Sequence, residues 1–214
     1  VSTKIVEDYA VIFEEAGLTL VGFELEAQSI TRSIIKTGDS GTYMVVDYGN
    51  TRTGLSFVVD GIVRFASSVD IGSSMQDKEL SRALSLDVKT IEELKKKNGL
   101  LKTNKDEAFF QAILSETALL RDEINKHFIY WHTHKDDFGE VRPPVDKILL
   151  CGGNANLIGL PEYLSSSLRV PVMHSDVWIN ITNRTKYIPP LERGPALSYP
   201  TAIGLALAED NSLV

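Results

Sequence analysis

Three stretches of this chain carry residue types that can hold a charged small molecule. The first is Asp47-Tyr-Gly-Asn-Thr-Arg-Thr53. An acid at a strand end followed by glycine and a polar turn offers backbone N–H groups to a phosphate and a carboxylate to the waters around Mg²⁺. Gly49 allows the close approach this needs, and Asn50, Thr51 and Thr53 add polar groups. The second is Cys151-Gly-Gly-Asn-Ala-Asn156. Gly152 and Gly153 remove side chains where a flat base or ribose can lie, and Asn154 and Asn156 follow at the start of a helix. The third is Thr90-Ile-Glu-Glu-Leu-Lys95, in which Glu92 and Lys95 share a helix face and suit ribose hydroxyls. Each has a plainer reading taken alone: a hairpin turn, a packing turn of an α/β unit, a surface ion pair.

The elements that must position these residues follow from the hydrophobic pattern. Residues 4–16 have helical spacing, with Ile5, Tyr9, Ile12 and Phe13 on one face and Gly17 as a C-cap. Residues 18–21 read as a short strand and 24–36 as a second helix, with Leu25, Ile30, Ile34 and Ile35 as its apolar side. Strands are predicted at 43–48, 55–59 and 62–68, a meander turning at Asp60-Gly61. Helices are predicted at 75–85, 87–97 and 105–131, the last with Ala108, Ala112, Leu119, Ile124 and Phe128 inward. A polar connector from His132 to Pro144 leads to a strand at 147–151, a helix at 156–168, a strand at 170–173 and a final helix at 199–209. That order predicts an α/β layered fold around a mixed sheet.

Composition narrows the partners. Net charge is −7 with no basic stripe, which argues against nucleic acid, and Lys95, Lys96 and Lys97 read as a solvated helix face. The single cysteine, Cys151, rules out an internal disulfide and suits a reducing compartment, where the Asn-x-Thr sites at Asn180 and Asn183 have no role. No run approaches the ~20 apolar residues of a membrane helix and no signal peptide is visible, so membrane association is expected to run through a partner. His127, His132 and His134 with Asp136 and Asp137 are expected to be solvated or capping residues rather than a metal site. Cys151 is expected to be buried and inert, and Trp131 and Trp178 to be packing residues.

The motifs, in this order, resemble those of the actin–Hsp70–sugar kinase ATPases. Asp47-x-Gly-x-x-x-Thr53 resembles their second phosphate loop. Gly72 with Ser73 and Ser74, ahead of Glu79 and Leu80, resembles a stretch beside the nucleotide. Glu92-x-x-Lys95 resembles the helix that meets the ribose, Gly152-Gly153 the adenosine motif, and Tyr199-Pro-Thr-Ala-Ile-Gly-Leu-Ala-Leu207 the last helix. Within that superfamily, Val6-Glu-Asp-Tyr, Glu15-Ala-Gly-Leu18, Glu24-Leu-Glu-Ala27 with Arg32, and the stretch from Ile148 to Leu164 followed by Val170-Pro-Val172 look like the type IV pilus assembly protein PilM family. The cell-division FtsA family is the nearest rival, and a sugar or acetate kinase relative a third reading.

The resemblance implies an actin-like (ribonuclease H-like) fold: a mixed five-stranded sheet flanked by helices, plus a small helical or α+β subdomain. It implies that residues 1–40 end a first domain and connect it onward. Residues 41–198 would form the second domain, with a helical insertion near 86–145, and 199–214 the helix that returns. Glu26 would orient an attacking water, with Asp47 holding Mg²⁺ through water. ATP would be bound at Asp47, Gly49, Asn50, Thr51, Thr53, Gly72, Ser73, Glu92, Lys95, Gly152, Gly153, Asn154 and Asn156. The implied function is a cytoplasmic scaffold at the inner membrane, at most a slow ATPase. It would bind the cytoplasmic tail of a PilN-like membrane protein, couple to the pilus motor and be able to self-associate, without inserting in the membrane itself. Asp77 departs from the threonine common in relatives, and Cys151 from a threonine or serine. No first phosphate loop precedes Asp47. Half a nucleotide site, and weak or absent ATP binding by this stretch alone, is therefore the expectation, with the other wall upstream of Val1.

Overall fold

A computed structural model describes residues 3–102, 107–136, 138–181, 189 and 191–208. Asp137, Asn183, the first two residues of the predicted 105–131 helix and Glu209 lie outside the described residues. The sheet among the described residues has five strands: β1 (Thr42–Tyr48), β2 (Thr53–Val59), β3 (Ile62–Val69), β4 (Lys147–Cys151) and β5 (Val172–His174), in the order β3-β2-β1-β4-β5. The meander pairs antiparallel, while β4 runs parallel to β1 and β5 parallel to β4. A parallel β4 needs a long crossover, and it is supplied by α3 (Ser73–Leu84), α4 (Val88–Lys97) and α5 (Glu107–Thr133).

The two sheet faces differ in side-chain size, and this decides what covers them. On one face β2 and β3 offer Gly54, Ser56, Ala66 and Ser68. These small residues leave room for α2 (Glu26–Ile34), which buries Ile30 and Ile34. On the other face Met44, Val46, Leu55 and Phe57 are buried beneath α5. Phe57 stacks on Trp131 with centroids 4.5 Å apart. The inward row of α5 is Phe109, Ile113, Thr117, Leu120, Ile124 and Trp131. Ala108 and Leu119, expected inward, are exposed, because the buried row runs along the neighbouring positions. His132, expected in the connector, lies in the last turn of α5. After β4 come a short 3-10 turn (Gly153–Asn156), α6 (Leu160–Leu168), α7 (Arg193–Ala196) and α8 (Pro200–Ala206). The single helix expected at 156–168 is split because Gly159 takes a left-handed φ of 80° and Pro161 restarts the winding.

The N-terminal segment departs most from expectation. α1 (Thr3–Glu15) forms, yet it buries no residue, and Ile5, Tyr9 and Ile12 are exposed. No strand forms at 18–21. The five-stranded sheet is complete without this segment, and none of residues 18–21 is buried. Leu25, expected on the buried side of α2, is also exposed.

α8 locks onto α2 through a glycine. A Cβ at Gly204 would come within 1.7 Å of the Ser29 carbonyl oxygen. The Gly204 carbonyl accepts a 2.7 Å hydrogen bond from Arg32 Nη1, and Arg32 also forks onto both oxygens of Glu24 at 2.9 and 2.6 Å. Gly204→Ala must force the two helices apart. We expect a loss of about 2–3 kcal/mol from overpacking, which thermal unfolding would register as a melting point lower by roughly 4–12 °C.

Candidate functional site

The register of β1 and β4 sets the site. Asp47 lies beside Cys151, so both loops leave the sheet at the same end. Gly152 then turns with φ +87°, and a Cβ there would meet the Tyr48 carbonyl oxygen at 2.5 Å and Asp47 Oδ1 at 2.6 Å. Only glycine fits both the dihedral and the space. The two motifs are therefore side-by-side neighbours at one end of the sheet. Gly152 N–H donates to the Leu197 carbonyl (2.8 Å), and Asn156 Nδ2 bridges the Gly153 and Gly194 carbonyls at 3.2 and 2.8 Å.

The turn after Asp47 is fixed by α3. Gly49 N–H donates to the Arg52 carbonyl (3.1 Å), while Ser73 and Ser74 N–H donate to the Gly49 and Asn50 carbonyls at 3.3 and 2.9 Å. The Ser73 hydroxyl donates to Asn50 Oδ1 at 3.1 Å. Gly72 is pressed so close that a Cβ would lie 2.4 Å from the Asn50 carbonyl oxygen. Thr53 is fully buried and donates its hydroxyl to the Ile71 carbonyl (2.6 Å), clamping the meander rather than facing a cavity. The N–H groups of Asn50 and Thr51 have no acceptor among the described residues.

Two clefts result, and Asn50 belongs to both. One, of about 510 Å³, is lined by Asn50, Ser73, Glu92, Lys95, Gly153, Asn154 and Asn156, together with Asp77, Lys96, Leu157, Pro195 and Ser198. The other, of about 480 Å³, is lined by Glu26, Asp47, Gly49, Asn50, Thr51 and Arg52 beneath the small-residue face of the sheet. Gly72 and Gly152 stand behind these walls. Reading the sequence missed Arg52, whose Nη2 is 3.9 Å from Glu26 Oε2, and Thr201, whose hydroxyl is 3.4 Å from Glu26 Oε1. Arg52 stands inside the first motif, but nothing in its sequence position shows that Glu26 is its neighbour. Thr201 lies in the last-helix motif, but its distance in sequence hides its approach to Glu26.

Electrostatics separates the clefts. In the first, Lys95 Nζ pairs with Asp77 Oδ1 at 2.7 Å, both side chains only about a tenth exposed (12% and 10%). Lys95 thus answers the departure at position 77 rather than pairing with Glu92. In the second, Asp47 is pushed up to about 6, mainly by burial and then by the negative charge of Glu26, with Arg52 and the Cys151 thiol drawing it back. Cys151 is buried, and burial with the Asp47 charge raises its thiol well above the ordinary value. Two carboxylates sharing one arginine make a place that favours a cation or a proton. Among the described residues no three His, Cys, Asp or Glu side chains converge, so a metal here would be held largely through water.

Two outcomes follow. Because Asp47 binds its proton more tightly when folded than at its ordinary 3.8, its contribution to stability is present below about pH 4 and lost as pH rises through about 6. Asp47→Asn should therefore be more stable than the parent at pH 7, by on the order of 2 kcal/mol, with the gap closing by pH 4 in urea titrations. Asp77→Ala leaves Lys95 unpaired and should cost about 3 kcal/mol, with the melting point recovering in Asp77→Ala/Lys95→Met.

A model of the family described as type IV pilus assembly protein PilM matches residues 3–210. No sequence match to a curated protein is significant. Among solved structures the fold is similar to a PilM–PilN type IV pilus biogenesis complex, with TM-score 0.69 and 19% identity over 90% of this chain and 54% of that one. It is similar to MreB5 of Spiroplasma citri bound to AMPPNP, with TM-score 0.71 and 16% identity over 99% and 66%. It is similar also to the ethanolamine utilization protein EutJ from Carboxydothermus hydrogenoformans, with TM-score 0.60 and 18% identity over 97% and 62%. The chain spans between half and two thirds of the length of these proteins. The fold is that of the actin-like ATPases, and with the family match extending over nearly its whole length, this chain belongs to the type IV pilus assembly protein PilM family.

Proposed function

We propose that this chain is the second half of an actin-like scaffold of type IV pilus assembly, and that its paired clefts form one wall of a nucleotide site. One observation carries the reading: Asn50 and three other separate stretches, at 73–77, 92–96 and 153–157, line one cleft, with Gly72 and Gly152 where the backbones behind it pass closest. The groups present fit the two ends of a nucleotide. Glu92, Lys95 and the open backbone of Gly153 and Asn154 would hold the nucleoside. The free N–H groups of Asn50 and Thr51 would meet phosphate. Asp47 and Glu26 would hold Mg²⁺ and its waters, a cation that bound ATP brings with it. Glu26, held between Arg52 and Thr201, is the candidate for orienting a water. MreB5 has been seen with AMPPNP, which supports ATP as the ligand class.

The exposed apolar stripe of α1 supports reading residues 1–40 as the end of a first domain and its connection. Residues 41–198, with the helical insertion near 86–145, would be the second domain, and 199–214 the return toward the first. In that arrangement the nucleotide closes the cleft between domains, with at most slow turnover. Among the described residues no helix is long and apolar enough to cross a membrane. We place the protein in the cytoplasm, peripheral at the inner membrane, through the cytoplasmic tail of a PilN-like protein such as the one in the PilM–PilN complex, with contacts to the pilus motor.

Calorimetry tests the nucleotide reading. A protein carrying a first domain ahead of this chain should bind Mg·ATP, and this chain alone should bind it at least roughly tenfold more weakly, since about half the phosphate contacts are lost. Gly152→Val in the longer protein should abolish binding. Micromolar binding by this chain alone, or none by the longer protein, would contradict the proposal.

A further inference from the structure

At the far end of the sheet from the clefts, the edge strand β3 carries a bulge. Val63 pairs with Val58 and Phe65 with Phe57, so Arg64 is an inserted residue. A bulge on an edge re-aims the side chain it adds, and Arg64 borders a groove of about 560 Å³ with Arg142. The segment bearing Arg142 is held in shape. Trp131 Nε1–H donates to the Pro143 carbonyl (2.8 Å), and the Asp136 carboxylate accepts from the N–H groups of Phe138 (3.0 Å) and Glu140 (2.8 Å). The Arg142 guanidinium carbon lies 4.9 and 5.3 Å from the ring centroids of Trp131 and Tyr130.

In this bed Arg142 Nη1 is buried without a hydrogen-bond partner among the described residues. Among the described residues neither Arg64 nor Arg142 has an ion-pair partner. The chain has 29 acids to 22 lysines and arginines, yet among the described residues no carboxylate pairs with these two arginines. A buried donor left unmet is uncommon in folded proteins. Phe138 and Val141 stand 91% and 79% exposed on the same groove. The combination is a planar cation backed by aromatic rings, a second cation, an apolar rim and one acid, Asp136, whose Oδ1 is occupied by the Phe138 and Glu140 N–H groups.

We propose that this groove docks an acidic segment of a partner protein, one that carries a large apolar residue beside an Asp or Glu. The carboxylate meets Arg142, whose Nη1 turns outward onto it in a forked pair. Arg64 adds the second charge, and the apolar residue covers Phe138 and Val141. The proposal is independent of the nucleotide reading, because the groove and the clefts share no residue.

The test is fluorescence anisotropy of this chain with short labelled peptides bearing Asp or Glu beside Phe or Leu, each compared with its Asn or Gln counterpart. Acidic peptides should bind roughly tenfold tighter than their amide forms. Arg142→Gln should remove that preference, and Arg142→Lys, lacking the fork, should not restore it. Arg64→Gln should weaken it by a smaller factor, and it keeps the proposal testable if circular dichroism shows Arg142→Gln misfolded. Equal binding of acidic and amide peptides, or an Arg142→Gln protein that keeps the preference, would overturn the proposal. So would self-association of the parent that Arg142→Gln abolishes, since the occupant would then be a second copy of the chain.

Discussion

The close approach of Gly152 to the end of β1 governs the arrangement of the site. Parallel pairing puts Asp47 next to Cys151, and the chain can leave β4 only by passing over the Tyr48 carbonyl and the Asp47 carboxylate. That passage requires a backbone without a Cβ in a left-handed φ. Once it is made, the Gly153–Asn156 turn lies against α7, and the neighbouring loop of Gly49 and Asn50 is stapled to α3. Two clefts on either side of Asn50 are the consequence.

The two clefts divide the electrostatic labour. The Asp77–Lys95 pair neutralises one and ties α3 to α4, while the other keeps an acid at the cost of stability. A carboxylate buried beside a second acid destabilises the ionised protein at neutral pH. Burial of that kind persists where a site uses the charge. The small residues Gly54, Ser56, Ala66 and Ser68 give α2 a shallow bed, and α8 holds α2 there through Gly204 and Arg32. The helix that presents Glu26 is therefore fixed from the C-terminal side of the chain, through contacts separate from the loops at 49–52 and 152–156.

Much of this was legible in the residues. The continuous apolar runs at 43–48 and 147–151 identified the central strands, and the glycine pairs marked where backbones meet. The sheet, its flanking helices and the meeting of the first and second motifs followed. What was not legible required knowing neighbours. Leu18, Leu20 and Val21 have strand-like character, but the segment pairs with no strand of the sheet and none of the three is buried. α1 shows helical periodicity whether or not anything covers it. Thr53 looks like a phosphate ligand by position, yet its hydroxyl is consumed by Ile71. Lys95 looked like the partner of Glu92 by helical spacing, whereas tertiary packing gave it Asp77, eighteen residues away.

The most direct test of the central claim is an amide-resolved NMR titration of this chain with Mg·AMPPNP, a method that detects even millimolar binding. The account predicts that Asn50, Thr51, Ser73, Gly153 and Asn154 shift together along one saturation curve, with the residues around Arg142 unmoved. Shifts confined to one of the two clefts, scattered over remote surfaces, or absent at saturating ligand would contradict it.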